Sequence, residues 1–370
     1  MTEKFQKIIE YIKNDNLDKA YELSDVISDE EDEHIINNIK GVILFKKQKL
    51  DSAKKFFLKS IKIDKNFIDP HKNLFKLNLK IQDYESAIDN AKKIIDLDDQ
   101  KKSISYFNLA LAYDLNKDYN QAIDLYKIVE TMNFSEKKIL FNNLAKCFLA
   151  TENINEAKNY YSKALELDEN DKFIINNLLI LYLRIGDKYK IEQFYKKAEN
   201  IDKDYIEFKL NSSDYLLSKE KIKEAIELLE SIIDDTKNFV AYTKLAKIFS
   251  MIGDYKKAKE IIDEAISIYP NSKDLKFTKG MYHLTLGEFE KGWEFYEFRN
   301  SIIKDKSFKN IKIWNGEDLK NSSLLVTREQ GMGDVLQFSK FLLNLSYSCK
   351  KIDFVIYSKL LPIFKKKYKN

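Results

Sequence analysis

The sequence predicts a mainly α chain: a right-handed superhelix of antiparallel helix pairs over residues 1–300, a polar linker over 301–321, and a short, incomplete α/β segment over 322–370. Three observations carry this expectation. A small residue recurs every 33 to 35 positions through nine units. Nine glycines and three prolines in 370 residues are too few turn formers for a many-stranded β protein. Late in the chain, "LLVTREQGMGDVLQF", Leu324 to Phe338, sets an apolar run against two glycines, an Asp and a new apolar periodicity, the order of a strand, a tight loop and a helix.

The repeat fixes the register of the first 300 residues. Its small positions fall at Ala20, Ala53, Ala87, Ala122, Ala157, Ile191, Ala225, Ala258 and Gly292. Twelve residues before them stand Gly41, Ala110, Ala145, Ser213, Ala246 and Gly280, with Phe75 and Leu179 as the exceptions. Two small positions twelve apart allow two helices to cross closely. Large residues fill the space around that crossing: Leu44, Tyr113, Phe148, Tyr182, Leu216 and Phe249 nine before, and Phe57, Tyr126, Tyr161, Tyr195, Leu229, Ile262 and Tyr296 four after. Repeat six, with Ile191 and Leu179 at both small positions, is the weakest unit. The period and these offsets resemble the tetratricopeptide repeat, and the resemblance implies a solenoid whose first helices line a concave surface suited to extended or helical partner chains.

Composition narrows the function classes. With 63 basic and 59 acidic residues, whole-chain charge argues neither for nucleic acid nor for an acidic substrate. Residues 301–370 carry 14 Lys and Arg against 6 Asp and Glu, without interleaved aromatic stacking positions, and read as a lysine-rich surface. Cys147 and Cys349 read as buried thiols in a reducing compartment, which favours a cytoplasmic setting. His34, His71 and His283 share no metal-ligand spacing, so neither a metal nor a cofactor is expected. No stretch is long and apolar enough to span a membrane, and the N-terminus lacks a signal-peptide pattern.

One offset is not explained by packing. Fourteen residues before five consecutive small positions stand Asn73, Asn108, Asn143, Asn177 and Asn211. Asn is a mediocre helix former, so its presence in each unit needs compensation. Either each side chain bridges to the backbone of the neighbouring repeat, or the column serves a ligand: a primary amide offers one acceptor and two donors and pairs with both groups of an extended main chain. "FNNLAKCF" around Asn143 is similar to the first helices of the O-GlcNAc transferase repeats. There, a concave asparagine ladder holds the substrate's main chain, and the resemblance implies peptide contact at these five positions.

The C-terminal segment is predicted as a strand at 323–328, the loop Glu329–Asp334, a helix at 335–347, a strand at 351–357 and a helix at 359–368. "GWEFYEFR" with Gly292, Trp293, Tyr296, Glu297 and Arg299, then Trp314, Gly316, Glu329, Gln330, Gly331, Gly333, Asp334 and Gln337, resembles a bacterial family. In it, tetratricopeptide repeats precede a two-domain Rossmann-like glycosyltransferase related to heptosyltransferases and O-GlcNAc transferase. The resemblance implies that Glu329, Gln330, Gly331 and Gly333 form the ligand-facing loop and that Asp334 is the base for an acceptor hydroxyl. Alternatively, Asp334 caps the helix. The residues from Ser322 onward are too few for the nucleotide-sugar domain that class requires. The expectation for the chain as given is therefore a peptide-binding scaffold with a truncated glycosyltransferase-like end. The alternative is a fragment or subunit of a protein glycosyltransferase, with a second chain completing the α/β domain.

Overall fold

A computed structural model describes residues 3–26, 32–98, 102–301, 311–328 and 331–367. Among the described residues, nine helix pairs follow one another. They are α1 (Glu3–Lys13) with α2 (Leu17–Val26), α3 (Glu33–Lys46) with α4 (Leu50–Ile63), and α5 (Ile68–Lys80) with α6 (Tyr84–Leu97). Next come α7 (Lys102–Leu115) with α8 (Tyr119–Glu130), α9 (Lys137–Ala150) with α10 (Ile154–Leu167), and α11 (Lys172–Ile185) with α12 (Lys188–Asp202). The last three pairs are α13 (Ile206–Ser218) with α14 (Ile222–Thr236), α15 (Phe239–Met251) with α16 (Tyr255–Ile268), and α17 (Lys273–Thr285) with α18 (Phe289–Tyr296). The fold is thus a mainly α, tetratricopeptide-like solenoid followed by a small open sheet. The chain divides into two compact units, residues 1–232 and 233–370, with the division inside α14.

The predicted register is realised. Every small position lies in the second helix of its pair and is buried, as are its partners twelve residues earlier. The steric reason is visible at the glycines. A Cβ on Gly41 would stand 2.5 Å from the Phe57 ring, and one on Gly280 would stand 2.8 Å from the Tyr296 backbone nitrogen. In repeat six, Ile191 and Leu179 are also buried, so two branched side chains occupy that crossing without opening it to solvent. The aromatic residues four after the small positions fill the interior: Phe57, Tyr126 and Tyr161 are among the largest fully buried side chains.

A second column appears only in three dimensions. Five residues before each small position the backbone turns left-handed, at Asp15, Gln48, Gln82, Lys117, Glu152, Gly186, Glu220, Gly253 and Gly287, with φ between 55° and 85°. The next residue donates its N–H to the carbonyl five positions back in every pair, as in Lys49 to Leu44 (2.9 Å) and Asp118 to Tyr113 (2.9 Å). This six-residue closure ends the first helix by satisfying a terminal carbonyl, and its left-handed residue is most cheaply a glycine. Only three repeats supply one.

The C-terminal segment contains β1 (Ser323–Thr327), α19 (Met332–Phe338), α20 (Phe341–Ser346), β2 (Lys351–Val355) and α21 (Leu361–Lys367). The strands pair in parallel, Ser323 opposite Lys351 through Thr327 opposite Val355. A parallel pair needs a crossover, and α19 and α20 supply it. Val335, Leu360 and Phe364 bury a small core against Phe354, Ile356 and Tyr357. The single helix predicted over 335–347 is two short ones: it begins at Met332, and breaks at Ser339, whose Oγ donates to the Leu336 carbonyl at 2.8 Å. The hydroxyl offers the backbone a local alternative to continuing the helical ladder. The second strand stops at Val355, and a short 3-10 turn, Ser358–Leu360, leads into α21.

Relief of the left-handed strain is testable. Lys117→Gly and Glu152→Gly should each stabilise the chain by about 0.5–1 kcal/mol, the left-handed penalty of an L side chain less the entropy glycine loses on folding. Equilibrium urea unfolding reads the change, and a destabilisation would contradict the assigned backbone conformation.

Candidate functional site

In residues 1–232, a polar band crosses the first helices of successive pairs. Asn73, Asn177 and Asn211 are half-buried, and each donates from Nδ2 to the Oδ1 of an Asn in the preceding repeat: Asn38 (2.9 Å), Asn142 (2.9 Å) and Asn176 (3.0 Å). The bridge between repeats is therefore made to a side chain, where the sequence suggested the main chain. The accepting residues stand directly before the ladder position of their own repeat, so the signal that could have found them is the adjacent pair, Asn142–Asn143 and Asn176–Asn177.

Where the preceding repeat lacks an Asn at that position, the bond changes. Phe107 occupies it in repeat four, and Asn143, almost fully buried, donates instead to the Tyr126 hydroxyl at 3.3 Å. Lys72 occupies it in repeat three, and the Asn108 amide makes no hydrogen bond among the described residues. The pairing has a chemical consequence. It commits one N–H of each bridged amide and leaves Oδ1 of Asn73, Asn177 and Asn211 accepting nothing among the described residues, held in a fixed direction at a half-buried surface.

One helical turn before Asn108, Asn143 and Asn177 stand Ile104, Ile139 and Phe173, which are 48%, 42% and 53% exposed. Residues four apart share a helix face, so an apolar track runs beside the amide column across α7, α9 and α11.

The same face contains a cavity of about 400 Å³ whose lining includes Asn177, Leu149, Ile180, Arg184, Lys146 and Asp114. Asp114 breaks a pattern. Eight residues before the small positions the other repeats carry Ile12, Phe45, Leu79, Leu149, Leu183, Leu217, Ser250 and Leu284. Asp114 is only 8% exposed, and its Oδ2 has no hydrogen-bond partner among the described residues. The nearest cation, Lys146 Nζ, lies 4.0 Å away, beyond hydrogen-bond reach. Burial raises the Asp114 carboxyl above its ordinary range, opposed by the Lys146 charge and by a hydrogen bond from the Cys147 thiol. Burial and this carboxylate together raise the Cys147 thiol and the Tyr126 and Tyr161 phenols, so none of the three ionises near neutrality.

In residues 233–370, a second cavity of about 300 Å³ brings together Trp293, Tyr296 and Arg299 of the last repeat with Thr327, Arg328 and Asp334. The Arg299 guanidinium lies over the Tyr296 ring at 4.7 Å and pairs with Glu297 at 2.9 Å; Arg328 lies over Tyr357 at 4.4 Å. Gly331 takes the helix N-cap position and Asp334 stands inside the first turn, so the carboxylate is not the N-cap residue. A Cβ on Gly331 would lie 3.7 Å from Asp334 Oδ2, and Gly333 has open space around it. Glu329 and Gln330 lie outside the described residues. Trp314 is apart from this cavity and donates to the Glu317 carbonyl at 2.8 Å. No cluster of three metal-ligating side chains occurs among the described residues, and none of their helices is long and apolar enough to cross a membrane.

The architecture is that of a tetratricopeptide-like solenoid, and the chain is similar to proteins of that type. The tetratricopeptide repeat model matches residues 36–67, 104–132, 140–171 and 240–272. Protein FlbA of Caulobacter vibrioides is 30% identical over 100 residues, which cover 25% of this chain and 17% of FlbA, so the chain spans less than a fifth of that relative. A tetratricopeptide repeat protein from Parabacteroides merdae superposes with a TM-score of 0.50 at 15% identity, over 64% of this chain and 94% of its own. PilF of Pseudomonas aeruginosa gives a TM-score of 0.45 at 16% identity, over 58% and 96%.

Asp114 provides a pH-dependent prediction. A carboxyl whose folded pKa is raised costs stability once the pH exceeds its unfolded value, so the cost is absent in acid and accumulates as pH rises. Asp114→Leu, the residue most other repeats carry, should stabilise the chain by about 1 kcal/mol at pH 7 and by less at pH 4. Thermal unfolding at the two pH values checks it; an equal effect at both would show that ionisation of Asp114 carries no cost.

Proposed function

We propose that the chain is an interaction scaffold that holds an extended polypeptide along the first helices of its repeats, with Asn73, Asn108, Asn143, Asn177 and Asn211 contacting the partner's main chain. The observation that carries this reading is the set of amide oxygens of Asn73, Asn177 and Asn211, oriented by their bridges and accepting no hydrogen bond from the described residues, on the face that also bears Ile104, Ile139 and Phe173. Main-chain N–H groups of an extended segment supply the missing donors, and its apolar side chains cover the exposed track. First helices packed about 8–10 Å apart match roughly three residues of extended chain, so one amide serves about every third partner residue. The tetratricopeptide architecture supports a protein partner, and the unpaired Cys147 and Cys349 fit a reducing, cytoplasmic setting.

A second reading rests on the other cavity. Its union of Trp293, Tyr296 and Arg299 with Asp334 joins residues from both halves of the glycosyltransferase-like motif. In that reading the repeats select a protein acceptor, Asp334 takes the acceptor hydroxyl proton, and a further chain or segment pairs with the open edges of the β1–β2 sheet. Calorimetric titration with nucleoside diphosphates and nucleotide-sugars separates the two: micromolar binding favours the transferase, and none favours the scaffold.

For the scaffold, the triple variant Asn108→Ala, Asn143→Ala, Asn177→Ala should bind fluorescein-labelled degenerate undecapeptides at least tenfold more weakly while losing only about 1–2 kcal/mol of stability. Alanine's helix propensity offsets part of the lost hydrogen bonding. Unchanged peptide affinity together with a large loss of thermal stability would assign the column to repeat bridging alone.

A further inference from the structure

The unexplained carboxylate of repeat four gives the groove a specificity element. We propose that the cavity containing Asp114 receives the cationic head of a lysine or arginine side chain of the bound polypeptide, an inference that rests on the peptide-groove reading above.

Four observations converge on this. Asp114 replaces an apolar residue at a position where the solenoid packs without charge, and its Oδ2 has no hydrogen-bond partner among the described residues. A buried acceptor with no donor is costly, and the cost is recovered when a ligand supplies one. The walls suit a long, mostly aliphatic side chain: Leu149, Ala150 and Ile180 line the path for the methylene stem. Asn177 lines the same cavity, so the residue whose side chain enters has its main chain beside a ladder amide.

The cations already present explain why the site favours an incoming one. Lys146 is half-exposed and stands 4.0 Å from the same oxygen, so it screens the carboxylate without bonding to it. At 4.0 Å the pair makes no hydrogen bond, and the half-exposed Lys146 can withdraw into solvent when a better placed cation arrives. Arg184 is committed elsewhere, donating from Nη1 to the Leu149 carbonyl at 2.7 Å and pairing through Nη2 with Glu152 at 3.2 Å. Its charge is thereby balanced at the rim. A carboxylate on the partner would meet Asp114 with Arg184 already committed to Leu149 and Glu152, and a neutral aliphatic residue would leave Oδ2 without a donor.

The test uses the whole chain and labelled undecapeptide pools, degenerate except for a central Lys, Arg, norleucine or Glu, read by fluorescence anisotropy. The Lys and Arg pools should bind about tenfold more tightly than the norleucine pool, the scale of one charge-assisted hydrogen bond. Asp114→Leu should reduce that preference below twofold while keeping norleucine-pool affinity, and Asp114→Asn, which keeps the side-chain shape, should do the same. Equal binding of all pools, or a cation preference that survives both substitutions, would overturn the pocket. In either case, binding that the triple asparagine variant abolishes would leave the groove itself standing. Failure of every pool to bind would overturn pocket and groove together.

Discussion

The close crossing of two helices within each repeat is the constraint from which the rest of the solenoid follows. Even the single Cβ of an alanine at Gly41 or Gly280 would run into the Phe57 ring or the backbone at Tyr296, so the distance between paired helices is set by what these positions omit. With that distance fixed, the large residues four after the small position have one place to go, the space around the crossing, where Phe57, Tyr126 and Tyr161 are fully buried. The tight turn is a consequence as well. Helices this close leave room for only a brief connection, and the left-handed residue with its six-residue hydrogen bond provides it in every pair.

This one-dimensional construction is why the fold was legible. Each repeat contacts its neighbours only, so the same demand recurs at the same offset and becomes visible as a period. What did not recur in residue identity stayed hidden. The left-handed column is held by Gly186, Gly253 and Gly287 but elsewhere by Asp, Gln, Lys and Glu, and composition gives no hint that these share a conformation. The break at Ser339 was illegible for a related reason, since the apolar periodicity continues through it.

The site was half legible. The asparagine column emerged from spacing alone, whereas its partners required knowing that adjacent first helices bring an Asn of one repeat against the preceding position of the last. Asn38, Asn142 and Asn176 then turn a row of separate amides into a coupled one. Coupling does not compete with binding here. An amide has more hydrogen-bonding capacity than one bridge consumes, and the bridge lowers the entropy a free side chain would lose on meeting a peptide. The bridges seen here and the main-chain contacts proposed for the column would therefore draw on different parts of the same amides.

Asp114 shows the converse use of periodicity. A repeat protein supplies its own controls: eight other residues occupy the equivalent place, none of them ionisable, and the architecture they build is the same. The shared architecture therefore does not require a carboxylate there, and although Cys147 and Lys146 partly compensate it, its Oδ2 is buried without a hydrogen-bond donor among the described residues. The cost is local, because a solenoid's stability is close to a sum over units and their interfaces, so one repeat can be spent on specificity while its neighbours keep the stack folded. A ladder of amides reads any extended main chain alike. A single charge set into the wall beside it is what such a surface needs to distinguish one extended chain from another.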